Sequence, residues 1–151
     1  MGNIVVRPVE ISELGLVYQL DRQAFGDNCY PPFVLRQLYD VHGDLFQVAL
    51  INDSLVGYVI GAVETGGSSA WILALTTDDG CRNVGIATAL LTEIVGHLHK
   101  QQISSIKLTV AEGNVAAIHL YCDKFSFTIA RKVENYFGEN TPRLLLQHKG
   151  I

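Results

Sequence analysis

Arg82-Asn83-Val84-Gly85-Ile86-Ala87 lies between an apolar run and a long amphipathic stretch. A glycine where a turn becomes a helix lets a ligand come close to the backbone. The first amides of a helix have no intrahelical acceptor, and with the helix dipole they favour a phosphate-bearing anion. Arg82 adds charge-assisted donors. The chemistry on offer is the cradling of a pyrophosphate. The chain has neither the Gly-Lys-Ser/Thr of a P-loop nor G-x-G-x-x-G. An ordinary strand-to-helix turn with a helix-start glycine is therefore the competing reading.

Asn114 and Tyr121 are two turns apart if they share a helix, and so fall on one face. Each has a plainer reading: a helix N-cap for Asn114, and core packing beside Ala117 and Leu120 for Tyr121. His119 points about 200° from Tyr121 on such a helix and reads as structural or exposed. His97 and His99, two apart on a helix, do not form a metal pair. Three cysteines, Cys29, Cys81 and Cys122, form no C-x-x-C pair. That pattern argues against a zinc site or disulfide scaffold and fits a reducing cytoplasm. No metal is expected, and Cys122 reads as a buried small hydrophobe.

These residues need a frame. Asn3–Val6 reads as a strand ending at Arg7-Pro8. Ile11, Leu14, Val17, Leu20, Ala24 and Phe25 form a helical stripe closed by Gly26-Asp27-Asn28. Tyr30-Pro31-Pro32 opens a second helix that ends at Gly43-Asp44. Phe46–Ile51 and Leu55–Val63 form a hairpin about Asn52-Asp53-Ser54. Gly57 and Gly61 lie in its second strand, where glycine implies that a backbone or ligand comes close. Trp71–Thr77 then feeds a helix from about Val84 to Lys100, with Ala87, Leu90, Leu91, Ile94 and Leu98 on one face. Ile103–Ala111 returns as a strand, and one crossover makes the pair parallel. A helix over Asn114–Lys124 and strands at Phe127–Val133 and Leu144–Gln147 close the chain.

At 151 residues the chain reads as one domain over 1–151. Apolar residues at 48% and charged residues at 17% describe a globular chain, not a disordered one. The formal charge of −4, with no basic run longer than Arg131-Lys132, argues against nucleic acid as a main partner. No apolar run reaches the length of a membrane span.

The loop, with its context, resembles the GCN5-related N-acetyltransferase (GNAT) superfamily. Arg82–Ala87 matches its [Q/R]-x-x-G-x-[G/A] motif. Val6-Arg7-Pro8 looks like its first strand and Leu55–Gly61 like its third. Val110–Tyr121 is similar to the V-x-x-x-N-x-x-A-I-x-L-Y segment of ribosomal-protein-alanine (RimI-like) acetyltransferases, and Asn135-Tyr136-Phe137 also resembles that subgroup. The resemblance implies an α+β, three-layer fold: a mixed, mostly antiparallel sheet of about seven strands with a splayed parallel pair, and about four helices on both faces. It implies an acyltransferase that moves acetyl directly from acetyl-coenzyme A to a primary amine, on a peptide or protein N-terminus or a small molecule. Leu75, Thr76 and Thr77 would pair with the pantetheine arm. Arg82, Asn83, Val84, Gly85, Ile86, Ala87 and Thr88 would hold the pyrophosphate. Asn114 would contact the coenzyme, and Tyr121 would be the general acid for the departing thiolate.

The chain departs from the family pattern in two places. RimI-like enzymes carry a basic Glu where Thr109 stands, and histone-type relatives carry one where Trp71 stands. Glu64, Glu112 and Glu134 could act through water, or be solvated surface charges. An α-amine titrates near about 7.7–8.0 and a lysine near about 10.4, so the missing Glu leans towards an α-amine or another low-pKa amine, or else the RimI-like specificity is not shared. The second departure follows Tyr121: Tyr121–Phe127 is one residue longer than Tyr-x-x-x-Gly-Phe and has Ser126 for Gly, which requires a reshaped helix end. Asp27–Pro32 and the hairpin around Tyr136 would form the acceptor side. A non-catalytic acyl-coenzyme A-binding module, or a vestigial fold used for protein contacts, are the competing functions. The enzyme is expected in the cytoplasm as a monomer or homodimer, without membrane or nucleic acid.

Overall fold

The computed structural model describes residues 2–81 and 84–149. Seven strands form one sheet, in the order β1-β2-β3-β4-β5-β7-β6. Their ranges are β1 Ile4–Pro8, β2 Phe46–Ile51, β3 Ser54–Val63, β4 Ser69–Thr77, β5 Ser105–Val110, β6 Thr128–Val133 and β7 Arg143–Lys149. Four α-helices are present among the described residues: α1 Leu14–Phe25, α2 Pro32–His42, α3 Ile86–Lys100 and α4 Val115–His119. The α+β class and the mixed sheet are as the sequence predicts. The chain divides into two compact units, one up to Ala62 with Leu73–Leu98, the other Val63–Ile72 with the chain from His99 onward.

In the first unit, local chemistry sets each boundary. The backbone N–H of Glu10 donates to Glu13 Oε1 at 2.9 Å, and Arg7 grips the same carboxylate at 2.8 and 2.9 Å. This places a 3₁₀ turn, Ile11–Glu13, ahead of α1. Gly26, at φ 58°, ends α1. Pro31 and Pro32 start α2, whose first turn tolerates their missing N–H. Asn52 and Asp53 sit at φ 50° and 66° in the β2–β3 turn, the two positive values a tight two-residue hairpin requires. Val17 and Leu20 from α1 and Leu35 from α2 pack on Phe46, Val48, Leu50, Tyr58 and Ile60.

Gly57 answers the question its position raises. A Cβ built there would lie 2.9 Å from Ile86 Cγ2, 3.0 Å from Leu90 Cδ1 and 3.2 Å from the Thr76 carbonyl oxygen. The close backbone is β4, and α3 presses on the same spot. The Thr76 carbonyl cannot rotate aside as a side chain could. Gly57→Ala is therefore expected to destabilise the protein by about 1–3 kcal/mol, seen as a lower urea midpoint. An unchanged midpoint would mean that β3 and α3 separate freely.

In the second unit, β4 and β5 run parallel, pairing Ser69↔Ser105, Ala70↔Ile106 and Trp71↔Lys107. β5 pairs with β7, and β7 with β6, both antiparallel. The stretch Asn114–Lys124 differs from the regular helix that the sequence predicts. α4 ends at His119, and Leu120–Lys124 is a π-helical turn. A π turn holds one more residue than an α turn, so it takes up the extra residue after Tyr121. Ser126 then adopts φ 60°, the left-handed conformation for which glycine is suited.

Candidate active site

The first unit carries the loop and the coenzyme strand of the sequence reading. Asp78 Oδ1 accepts the Gly80 N–H at 2.8 Å, its carbonyl accepts the Cys81 N–H at 3.0 Å, and its own N–H donates to Val56 O at 2.8 Å. The descent from β4 is thereby fixed. Gly85 is exposed at φ 88°, and nothing lies within 4 Å of where a Cβ would be. Its carbonyl accepts the Ala89 N–H at 2.9 Å, closing the first turn of α3. The helix begins at Ile86 rather than at Val84. The amides of Ile86, Ala87 and Thr88 thus open the helix, where no i−4 acceptor exists. Arg82 and Asn83 lie outside the described residues.

Leu75 and Thr77 on β4 are half-buried, and Thr76 is buried. The Thr76 hydroxyl points to Asp21 Oδ1, 3.4 Å away. Asp21, only 1% exposed, accepts a short hydrogen bond from the Tyr58 hydroxyl and the Tyr30 backbone N–H at 2.8 Å. Burial pushes the Tyr58 hydroxyl well above its ordinary pKa, and the neighbouring Asp21 carboxylate adds to the shift. The Tyr30 hydroxyl reaches Leu73 O at 3.4 Å. One carboxylate on α1 therefore ties down the Asp27–Pro32 loop, β3 and β4. The sequence reading missed Asp21. Its signal was an acid within the apolar stripe, four residues after Val17.

The second unit carries Tyr121. Its side chain is 6% exposed and meets Phe127 edge-on at 5.5 Å. Burial holds its hydroxyl well above the ordinary tyrosine pKa, so it stays protonated at neutral pH. Asn114 is an N-cap, its Oδ1 accepting the Ala117 N–H at 3.2 Å. Between Asn114 and Tyr121 the helix passes from α to π, so the single regular face expected for the pair is not formed. Cys122 is half-buried rather than buried. Burial and then Asp123 raise its thiol pKa, which disfavours the thiolate. His119 is exposed and pairs with Asp123 at 2.6 Å.

Neither Thr109 nor Trp71, the two positions at which the sequence resemblance implies a base, is a carboxylate. At Thr109, Arg143 Nε donates to Oγ1 at 3.3 Å and Nη2 to the carbonyl oxygen at 3.0 Å. The Trp71 indole donates to Glu64, which also accepts Lys107 Nζ at 3.1 Å. These two donors, Trp71 first, lower the Glu64 pKa. Glu112 and Glu134 both pair with Lys132, at 2.9 and 3.3 Å. All three candidate carboxylates are thus engaged. Tyr136 and Phe137 pack edge-on at 4.9 Å, both exposed, and Arg143 lies over the Phe137 ring at 5.1 Å. Among the described residues, no group of three or more His, Cys, Asp or Glu is placed to hold a metal. No helix there is long and apolar enough to cross a membrane.

The Tyr121–Phe127 contact continues to His148 at 5.3 Å and from there to His99 at 6.1 Å. His99 Nε2 and His148 Nδ1 are buried without a partner among the described residues. Burial first, and then His99, push the His148 pKa below its usual value. The folded His148 resists a proton that the unfolded chain accepts near about pH 6.5. The fold bears no penalty from it above that pH, and stability falls as pH drops below it. We expect the thermal midpoint to decline as pH falls below about 6.5, and His148→Gln to flatten that decline. An unaltered slope in the variant would remove His148 as the cause.

The acetyltransferase (GNAT) family profile matches residues 15–127. Among curated proteins, the chain is 25% identical over 147 residues to an uncharacterised N-acetyltransferase of Methanocaldococcus jannaschii, covering 97% of this chain and 92% of that protein. It is 24% identical to an N-alpha-acetyltransferase of Sulfolobus acidocaldarius, covering 95% and 91%. Among solved structures, Ard1 from Thermoplasma volcanium superposes with a TM-score of 0.89 at 22% identity, covering 98% of both chains. Arabidopsis thaliana Naa50 with the bisubstrate analogue CoA-Ac-MVNAL gives 0.82 at 23%, covering 97% and 98%. The ribosomal-protein-S18-alanine N-acetyltransferase of Escherichia coli gives 0.83 at 18%, covering 99% and 96%. The chain belongs to the acetyltransferase (GNAT) family. Its activity is the transfer of an acetyl group to an amine, as the sequence predicts.

Proposed function

We propose that this chain is a single N-acetyltransferase domain that acetylates the α-amine of a peptide or protein N-terminus in the cytoplasm. Tyr121 is its general acid, and the turn opening α3 holds the coenzyme. The fit of coenzyme A to that turn is supported by the open space at Gly85 and the first-turn amides of Ile86, Ala87 and Thr88. Arg82, Asn83 and Val84 complete the cradle in this reading, with backbone groups of Leu75, Thr76 and Thr77 on the pantetheine arm. The side-chain amide nitrogen of Asn114 remains available for the coenzyme after its oxygen has capped α4. Acetyl-coenzyme A supplies the activated thioester when bound. Tyr121 carries its proton at neutral pH, the state in which an acid for the departing thiolate must start.

The observation that carries the acceptor assignment is Arg143 on Thr109, with Glu64, Glu112 and Glu134 each held by a cation. With Glu64, Glu112 and Glu134 each paired to a cation, none of the three is free to deprotonate a lysine, and the acceptor in this reading is an amine that is already partly neutral near pH 7. The naming of the Sulfolobus acidocaldarius relative as an N-alpha-acetyltransferase agrees. Thiol release with peptides bearing a free N-terminus, against N-terminally blocked peptides bearing one lysine, tests this. Turnover confined to the free N-termini is expected, and preferred acetylation of lysine would contradict it. The same missing base favours one other reading, a coenzyme-binding module without turnover. Tight binding of acetyl-coenzyme A with no product from any amine would establish that reading instead.

A further inference from the structure

Within the first unit, one buried carboxylate meets two parts of the candidate site through different oxygens. Asp21 Oδ1 accepts the Tyr58 hydroxyl from β3 and lies 3.4 Å from the Thr76 hydroxyl on β4. Its Oδ2 accepts the Tyr30 N–H at 2.8 Å. Thr76 belongs to Leu75–Thr77, the strand segment assigned to the pantetheine arm, and Tyr30 to Asp27–Pro32, the loop assigned to the acceptor. Sequence makes the Tyr30 amide special. Pro31 and Pro32 follow it and have no N–H, so Tyr30 is the last backbone donor before α2. The Cys29 N–H returns to Gly26 O at 3.2 Å, a bond inside the loop, whereas the Tyr30 N–H reaches the interior. The Tyr30 hydroxyl meets Leu73 O at 3.4 Å, roughly 7 Å along β4 from Leu75. Loop and coenzyme strand are thus neighbours, and both are referred to Asp21.

We propose that Asp21 is a positioning residue for acetyl transfer: Oδ2 fixes the loop that receives the acceptor, Oδ1 fixes the strand that receives the coenzyme, and the carboxylate between them sets the approach of amine to thioester. The proposal rests on the coenzyme and acceptor readings above and adds the group that registers one against the other. Direct attack needs the reacting atoms about 3–3.5 Å apart, and a misplacement of about 1 Å costs up to about 100-fold in rate. A buried hydrogen bond to a carboxylate can hold that tolerance, because it is strong and water does not compete for it. The exposed Arg22–Asp27 pair, at 3.8 Å, is a much weaker tie on the same loop. Asp21 is not the missing base. At 1% exposure, with both oxygens facing donors from the chain, it is placed to hold groups and not to take a proton from the acceptor.

The test compares Asp21→Leu, Asp21→Asn and Tyr58→Phe with the unmodified enzyme, each well below its Tm, using a free-N-terminus peptide as acceptor. Asp21→Leu cuts both arms. It should lower kcat/KM for the peptide by about 10- to 100-fold, with the Kd for acetyl-coenzyme A unchanged. Tyr58→Phe leaves Tyr30 and Thr76 on the carboxylate, so it should lower Tm and keep kcat/KM for the peptide. Asp21→Asn can turn its oxygen to the Tyr30 N–H and its amide nitrogen to the two hydroxyl oxygens, and should recover most of the lost kcat/KM. A purely structural role would make kcat/KM track Tm across the three variants. Where Asp21→Leu does not fold, hydrogen exchange in the unmodified enzyme decides: the Tyr30 amide should exchange far more slowly than those of Asp27 and Asn28. Full kcat/KM in Asp21→Leu, an equal loss in Tyr58→Phe, or a Tyr30 amide that exchanges as fast as Asp27 and Asn28 would overturn the proposal while leaving N-acetyl transfer intact. Absence of turnover by the unmodified enzyme with every amine would overturn the catalytic reading and this proposal with it.

Discussion

Replacing Tyr121 with Phe is expected to lower kcat by about 10²–10⁴-fold while leaving the dissociation constant for acetyl-coenzyme A unchanged. The change removes one oxygen. The ring keeps its edge contact with Phe127, so folding and the aromatic row behind it should persist. Burial keeps the Tyr121 hydroxyl protonated through the neutral range, and no hydrogen bond to it from the described residues would be broken. Full turnover in the variant would remove Tyr121 from the mechanism. A loss confined to coenzyme binding would make it a contact residue instead.

Asp21→Leu should have the largest effect on stability. The Tyr58 hydroxyl, the Tyr30 N–H and the Thr76 hydroxyl all converge on this carboxylate in a site that is almost wholly buried. Without it, these donors are left in an apolar interior, at a cost of about 3 kcal/mol or more. For a chain of this length that is a drop of roughly 6–12 °C in Tm. Thr76→Val removes only the 3.4 Å contact and should cost under about 1 kcal/mol. If the two variants melt together, Asp21 is not the tie between the Asp27–Pro32 loop, β3 and β4.

The difference between these residues explains what was legible in the sequence. Strands and helices followed from period and punctuation, because Val17, Leu20 and Leu35 had to be inside and Gly26, Pro32 and Asn52-Asp53 could only turn or cap. Gly85 was legible as a turn residue because its φ of 88° is one that glycine adopts freely. The extra residue after Tyr121 was visible as a count, but not its solution as a π turn, because that depends on how Ser126 and Phe127 return to the core. Asp21 and Arg143 escaped because each acts through partners distant in sequence, Tyr58 and Thr76 for one and Thr109 for the other. The missing base was read from identity alone at Thr109 and Trp71. What stands there instead, a guanidinium on Thr109 and a Trp71–Glu64–Lys107 cluster, required the register of β5 with its neighbours.

The proposed reaction is acetyl transfer from acetyl-coenzyme A to an α-amine, with an acid from the chain and no carboxylate base. Its most direct test is mass spectrometry of free-N-terminus peptides incubated with the enzyme and acetyl-coenzyme A, with thiol release followed across pH. One added acetyl group is expected on the N-terminal nitrogen, with kcat/KM rising as the acceptor's own ammonium loses its proton. Glu64→Gln, Glu112→Gln and Glu134→Gln should leave the shape of that profile unchanged. Acetylation of lysine side chains, or loss of the profile on neutralising one of those three carboxylates, would contradict it.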